Sequence, residues 1–148
     1  MPSSSRNCCG GSRWIIQICS SRGTTPGKSR PNERVLKWLG DQEPVTTVDP
    51  IVMGEIWRGI LMLPQGRKRD GLHIWFDRLR RNIPCAAWTM ETALVWAEIC
   101  DFVQRSGFTI SAPDTMIAAT AKLHGLTVAT RNAEDFTRCG VAVVNPFE

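Results

Sequence analysis

A chain of 148 residues, 43% hydrophobic and 22% charged, is the size of one compact domain, and a domain of about this length buries roughly two-thirds of its unfolded surface. Its longest apolar candidate, Met90 to Val103, is broken by Glu91, Glu98 and Asp101, short of the ~18 uninterrupted residues that cross a bilayer; no membrane association is expected, and a cytoplasmic location is. The formal charge of +4 is small, but residues 1–40 hold seven Lys or Arg against one acid, Glu33.

The opening "MPSSSRNCCGGSR" lacks the apolar core of a signal peptide. Its Ser, Gly and Arg content predicts a disordered tail over residues 1–12, ahead of one domain over 13–148. Of the six cysteines, Cys8 and Cys9 are adjacent with no C-x-x-C or His partner, so small buried thiols are expected rather than a zinc set or disulfides. "RWIIQICSS" is a short β-prone run and the expected first strand. After the loop "RGTTPGKSR", "PNERVLKWLGDQ" predicts a short helix from Pro31 to about Gly40, with Val35, Leu36, Trp38 and Leu39 on one side.

In "PVTTVDPIVMGEIWRGILMLP" the period changes. Val45 to Val48 is short and β-branched, Asp49 suits a helix cap and Pro50 a first turn. Ile51, Met53, Ile56, Trp57, Ile60 and Leu61 then form an apolar stripe with Glu55 inside it. "GRKRDGLHIWFDRLRR" predicts a basic helix that buries Leu72, Trp75, Phe76 and Leu79 and turns Arg and Lys outward, where they suit phosphate contact. "TMETALVWAEICDFVQRSG" predicts a helix capped by Thr89, with Leu94, Val95, Ile99, Phe102 and Val103 inward. Ser111 and Pro113 open the next helix, Ile117, Ala118, Ala121 and Leu123 give its buried side, and Gly125 ends it. "LTVAT" and "VAVVNP" are strands separated by the short helix "EDFTRC". Apolar strands alternating with helices imply an α/β fold whose parallel sheet is covered by helices on both faces.

In such folds ligands bind at the carboxyl ends of the strands. Arg131, Asn132 and Asp135 follow "LTVAT" directly, Asp114 opens the preceding helix, and Glu55 lies early in the helix after "VTTV". Each has an ordinary role open to it: Asp114 as a cap or first-turn acid, Glu55 as a partner for Arg58, Asn132 and Asp135 as turn or capping residues. Were they to converge, clustered carboxylates would need a cation to stay ionised. Mg²⁺ suits hard oxygen ligands, with Mn²⁺ an alternative, and a metal-bound water attacks phosphodiesters. His73 and His124 are expected in solvated or capping roles. An α/β domain that binds a small molecule, with these residues only capping and pairing, is the competing interpretation.

The segments "SAPDTMIAATAKLHGLTVATRNAEDFTRCGVAVVNPFE" and "PNERVLKWLGDQEPVTTVDPIVMGEIWRGILMLP" resemble PIN-domain ribonucleases of the VapC/FitB toxin type, over about Pro31 to Glu148. The resemblance implies a three-layer α/β/α sandwich with a central parallel sheet and Mg²⁺-dependent cleavage of RNA. It also implies a cognate antitoxin that covers the acidic pocket, and a homodimer. By motif, Glu55, Asp114, Asn132 and Asp135 are the candidate catalytic set, with Glu55, Asp114 and Asp135 as the metal-binding carboxylates. Thr130 and Arg131 complete the motif as scaffold or phosphate contacts.

One element of that pattern is missing. Such proteins begin with a strand ending in L-D-T-N, whose Asp is a central metal ligand, whereas no Asp or Glu stands between Met1 and Asn32 here. The position falls near Cys19, and Cys or Ser is a poor Mg²⁺ ligand. Two origins fit: an altered reading frame upstream of about Ser29, or a degenerate homologue that still folds and binds its antitoxin without cleaving RNA. Low or no nuclease activity is the expectation for the chain as written.

Overall fold

Asp49 starts a helix by a local rule: its Oδ1 accepts a hydrogen bond from the Ile51 amide at 2.7 Å, and Pro50, with no amide to leave unpaired, takes the first turn. The computed structural model describes residues 14–16 and 46–146. The expected tail over residues 1–12 and the expected helix from Pro31 lie outside the described residues, as do Cys8, Cys9 and Cys19.

The helices are α1 (Pro50–Leu61), α2 (Arg67–Asn82), α3 (Met90–Arg105), α4 (Ala112–His124) and α5 (Ala133–Arg138). The starts of α1, α3 and α4 follow side chains already noted. Thr89 and Thr92 cap α3 reciprocally, each hydroxyl bonded to the other residue's amide. The Ser111 hydroxyl caps α4, which ends on Gly125 in the left-handed conformation at φ 61°.

The strands β1 (Trp14–Ile16), β2 (Thr46–Val48), β3 (Thr127–Ala129) and β4 (Val143–Val144) form one parallel sheet in the order β2-β1-β3-β4. The passage from α2 to α3 extends its edge. There the Val48 amide donates to the Pro84 carbonyl and the Ala86 amide to the Val48 carbonyl, each at 2.9 Å.

Helix α4 is the centre of the core. Ile117, Ala118, Ala119, Thr120 and Ala121 are all buried, so more than one face of this helix is covered, and its alanines let α3 pack closely along it. Val48, Val52, Ile99, Val103, Leu126, Val128 and Phe136 belong to the same cluster. The α/β class and the parallel sheet stand as expected. No helix among the described residues is long and apolar enough to cross a membrane.

The helices differ from expectation in rotation. In α1 the fully buried residue is Val52, outside the expected stripe, while Leu61 is 47% exposed. In α3, Ile99 and Val103 face inward but Leu94 and Phe102 are exposed. In α2 Phe76 is buried and Trp75 is not. An apolar stripe spans 100° or more, and only the part that meets a neighbour is covered.

Asp49 is fully buried, and its Oδ2 accepts a hydrogen bond from the Thr120 hydroxyl. Burial raises its carboxyl above the ordinary range, more than the Thr120 and Ile51 hydrogen bonds lower it. The folded protein therefore holds this proton more tightly than the unfolded chain. Asp49 favours folding below its unfolded pKa, and that contribution is lost as pH rises through the raised folded value. Asp49→Asn keeps an acceptor for Ile51 and is expected to flatten this part of the stability profile. Asp49→Ala loses the cap and strands the Thr120 hydroxyl, at a cost of about 2–4 kcal/mol. Urea denaturation across the acid range measures both, and an unchanged pH slope in Asp49→Asn would contradict the assignment.

Candidate acidic site at the strand ends

Beyond β3 the chain reaches Thr130, which is buried and whose amide donates to the Val144 carbonyl at 3.0 Å. Its hydroxyl accepts from the Asn132 amide at 3.0 Å, a local turn that fixes the backbone of Asn132. Asn132 stands at the N-cap of α5 but makes no side-chain cap bond. Its Nδ2 instead donates to Asp135 Oδ2 at 2.7 Å and to Asp114 Oδ2 at 3.5 Å. One amide thus ties two carboxylates from different helices.

Asp114 is 2% exposed and is the third residue of α4. Ser111, not Asp114, supplies the cap, so the capping role open to Asp114 is not the one it plays; its carboxylate turns toward Asn132. Asp135 is likewise the third residue of α5, with Arg138 Nη1 3.8 Å from its Oδ1. Both acids therefore sit in helix first turns, where the helix dipole favours negative charge.

The buried Cys139 thiol registers both charges. Its pKa is pushed up to about 11, first by burial and then by the negative charges of Asp114 and Asp135. Cys139 has no periodicity or motif that marks it in the sequence, and neither does the bond from Trp96 Nε1 to Thr115 Oγ1 at 3.1 Å that pins α3 to the first turn of α4 beside Asp114.

Asp114, Asn132 and Asp135 come together. Glu55 is half-buried on α1, a helix that packs on α4. Among the described residues no three His, Cys, Asp or Glu side chains stand close enough to hold one metal ion. Carboxylate and amide oxygens are the right kind of donor for a hard divalent cation, but the two close carboxylates are fewer than a secure site uses, and the Asn132 NH₂ already bonds to both. Of the histidines, His124 is exposed in the last turn of α4. His73 is exposed, with its ring edge-on to Trp57 at 5.0 Å and 3.8 Å from Asp77.

A parallel α/β domain with acids gathered beyond its strand ends is the class that these elements define. The chain belongs to the PIN-domain family, whose description matches residues 27–141. It is similar to toxin FitB of Neisseria gonorrhoeae, 38% identical over 130 residues that cover 82% of this chain and 91% of FitB. It is also similar to the VapC ribonuclease Y4jK of Sinorhizobium fredii, at 30% identity over 82% of this chain and 89% of the relative. The FitAcB crystal structure from Neisseria gonorrhoeae superposes with a TM-score of 0.73 at 30% identity, covering 91% of this chain and 99% of that one. The resemblance drawn from the motifs therefore stands.

Proposed function

We propose that this chain is the toxin-type member of a toxin–antitoxin pair, with an acidic pocket for Mg²⁺- or Mn²⁺-dependent RNA cleavage whose metal affinity is weak. The observation that carries this is the pairing of Asp114 and Asp135, from two helix first turns, through Asn132. The names of the relatives, a toxin and a ribonuclease, support the activity. Asp114 and Asp135 are the residues that would hold the cation, with Glu55 of α1 drawn toward them on binding. A divalent ion so held would supply charge neutralisation at phosphate oxygens and an acidified water. Arg131, exposed and next to Asn132 in the chain, suits a phosphate contact.

The weakness has a source in the topology. Strand β1 lies between β2 and β3, so in a parallel sheet its carboxyl end points to the same edge as Asp49 and Thr130. No Asp or Glu follows Ile16 before Glu33. The central strand thus brings no nearby acid to the pocket, and this favours a second reading, a module that binds its antitoxin without turnover.

Titration of the purified chain with Mg²⁺ by calorimetry, alongside an RNA-cleavage assay, decides between them. The first reading expects weak, millimolar-range binding and slow cleavage that Asp114→Ala abolishes. No metal signal and no cleavage, with tight antitoxin binding retained, selects the second. A homodimer is proposed on α3, where Met90, Leu94 and Phe102 are 76%, 61% and 54% exposed, an apolar set unusual for a free surface. Light scattering of the parent and of Leu94→Glu tests it: a monomeric parent rejects the dimer.

A further inference from the structure

The outward face of α2 sets an exposed aromatic among exposed cations. Phe76 stacks on Trp57 with centroids 5.1 Å apart and planes at 27°, and this contact fixes how α2 is rotated about its axis. Successive residues turn by about 100°, so Trp75, expected among the buried residues, is carried outward and is 45% exposed. Arg67, Lys68, Gly71, Ile74 and Arg78 share its side of the helix, and all are exposed.

Charge on this face is one-sided. The two acids of α2, Asp70 and Asp77, border this face beside Ile74, about 140° and 160° round the helix from Trp75, and Asp77 is bonded to Arg80 at 2.7 Å. Among the described residues neither Arg67 nor Arg78 forms an ion pair with a carboxylate. Gly71 adds a second feature. A Cβ there would meet nothing within 4 Å, so packing does not demand glycine, although glycine weakens a helix interior relative to alanine. Helical side chains lean over the preceding turn. With glycine four residues before Trp75, no side chain from that position covers the indole.

An exposed aromatic face flanked by cations is what single-stranded nucleic acid requires: a base stacks on the ring while its phosphates meet the charges. We propose that the outward face of α2 is a docking surface for single-stranded RNA, with a base on Trp75 and phosphates on Arg67, Lys68 and Arg78. The choice of RNA rests on the function proposed above. The binding itself does not need cleavage, because α2 carries none of the acids of the pocket.

The test is fluorescence anisotropy of a short labelled oligouridine with the full chain in chelator, over a range of salt. Trp75→Ala is expected to weaken binding about tenfold, and Trp75→Phe to retain most of it. Arg78→Gln should lower the salt slope by about 0.7, the value of one neutralised phosphate on a single strand. These side chains are exposed, so unchanged circular dichroism should confirm that each variant folds. No binding of oligouridine, equal binding by Trp75→Ala, or equal binding of a fully paired RNA duplex would overturn the proposal. Equal RNA binding by Trp75→Ala with loss of antitoxin binding would make the face a protein-docking site instead. Cleavage by the parent separates the two inferences: Trp75-dependent oligouridine binding with no cleavage sinks the nuclease reading alone, whereas cleavage without Trp75-dependent binding sinks this one alone.

Discussion

Phe136→Ala is expected to remove about 3–5 kcal/mol of stability, the range for deleting a buried aromatic ring, from a domain whose total is about 5–15 kcal/mol. Phe136 is fully buried and belongs to the main core cluster. It also sits at the joint of the acidic site. Its carbonyl accepts from the Val141 amide at 3.3 Å, and the Asp135 carbonyl accepts from the Cys139 amide at 3.1 Å, so the ring anchors the helix that carries Asp135. Collapse around the missing ring would loosen that helix first. Equilibrium urea denaturation measures the effect, and labelling of the Cys139 thiol reports it locally: a thiol with pKa of about 11 is almost entirely protonated at neutral pH and reacts slowly, and it should react faster in the variant. A destabilisation below about 1.5 kcal/mol with unchanged labelling would mean that α5 does not depend on this ring.

Local chemistry is why the helix starts were legible. A cap acts within three residues, so Asp49, Thr89 and Ser111 each fix a boundary without help from the rest of the chain. Rotation about the axis is different, because it depends on a partner surface distant in sequence. Leu94, Phe102 and Trp75 satisfy the apolar period yet are exposed, while Val52 is buried from outside the expected stripe. Thr120 makes the same point for polar groups, since its hydroxyl is satisfied by Asp49, 71 residues away. The placement of β1 between β2 and β3 is also non-local, and no pattern in "WII" encodes it.

The acidic site was legible in part for a topological reason. Parallel strands deliver whatever follows them to one edge, and Asn132 and Asp135 follow β3 closely enough for that to bring them to Asp114. The direction of the hydrogen bonds was not legible. Asn132 reads as a possible oxygen ligand, yet in the fold it is a donor to both carboxylates. An amide in that orientation supplies part of what a cation would supply, two bonds to negative oxygens, without its charge.

That orientation makes Asn132→Asp the most informative change in the pocket. The backbone bond from residue 132 to the Thr130 hydroxyl survives, so only the side chain differs. In chelator the variant loses two donors and gains a third carboxylate beside Asp114 and Asp135. It should be about 1–3 kcal/mol less stable than the parent, a fall in Tm of roughly 2–4 °C per kcal/mol at this chain length. Added Mg²⁺ should then raise its Tm more than it raises the parent's, because a ligand stabilises the folded state by RT ln(1 + [L]/Kd) and a third carboxylate lowers Kd. Asn132→Ala is the control: it loses the donors without adding charge, so it should lose stability but gain no extra response to the metal. Equal melting of Asn132→Asp and parent in chelator, with equal Mg²⁺ shifts, would show that the pocket acids neither repel one another nor share a cation. A large Mg²⁺ shift in Asn132→Asp would place the deficit of the natural site in its number of carboxylates, and would leave their placement by α4 and α5 intact.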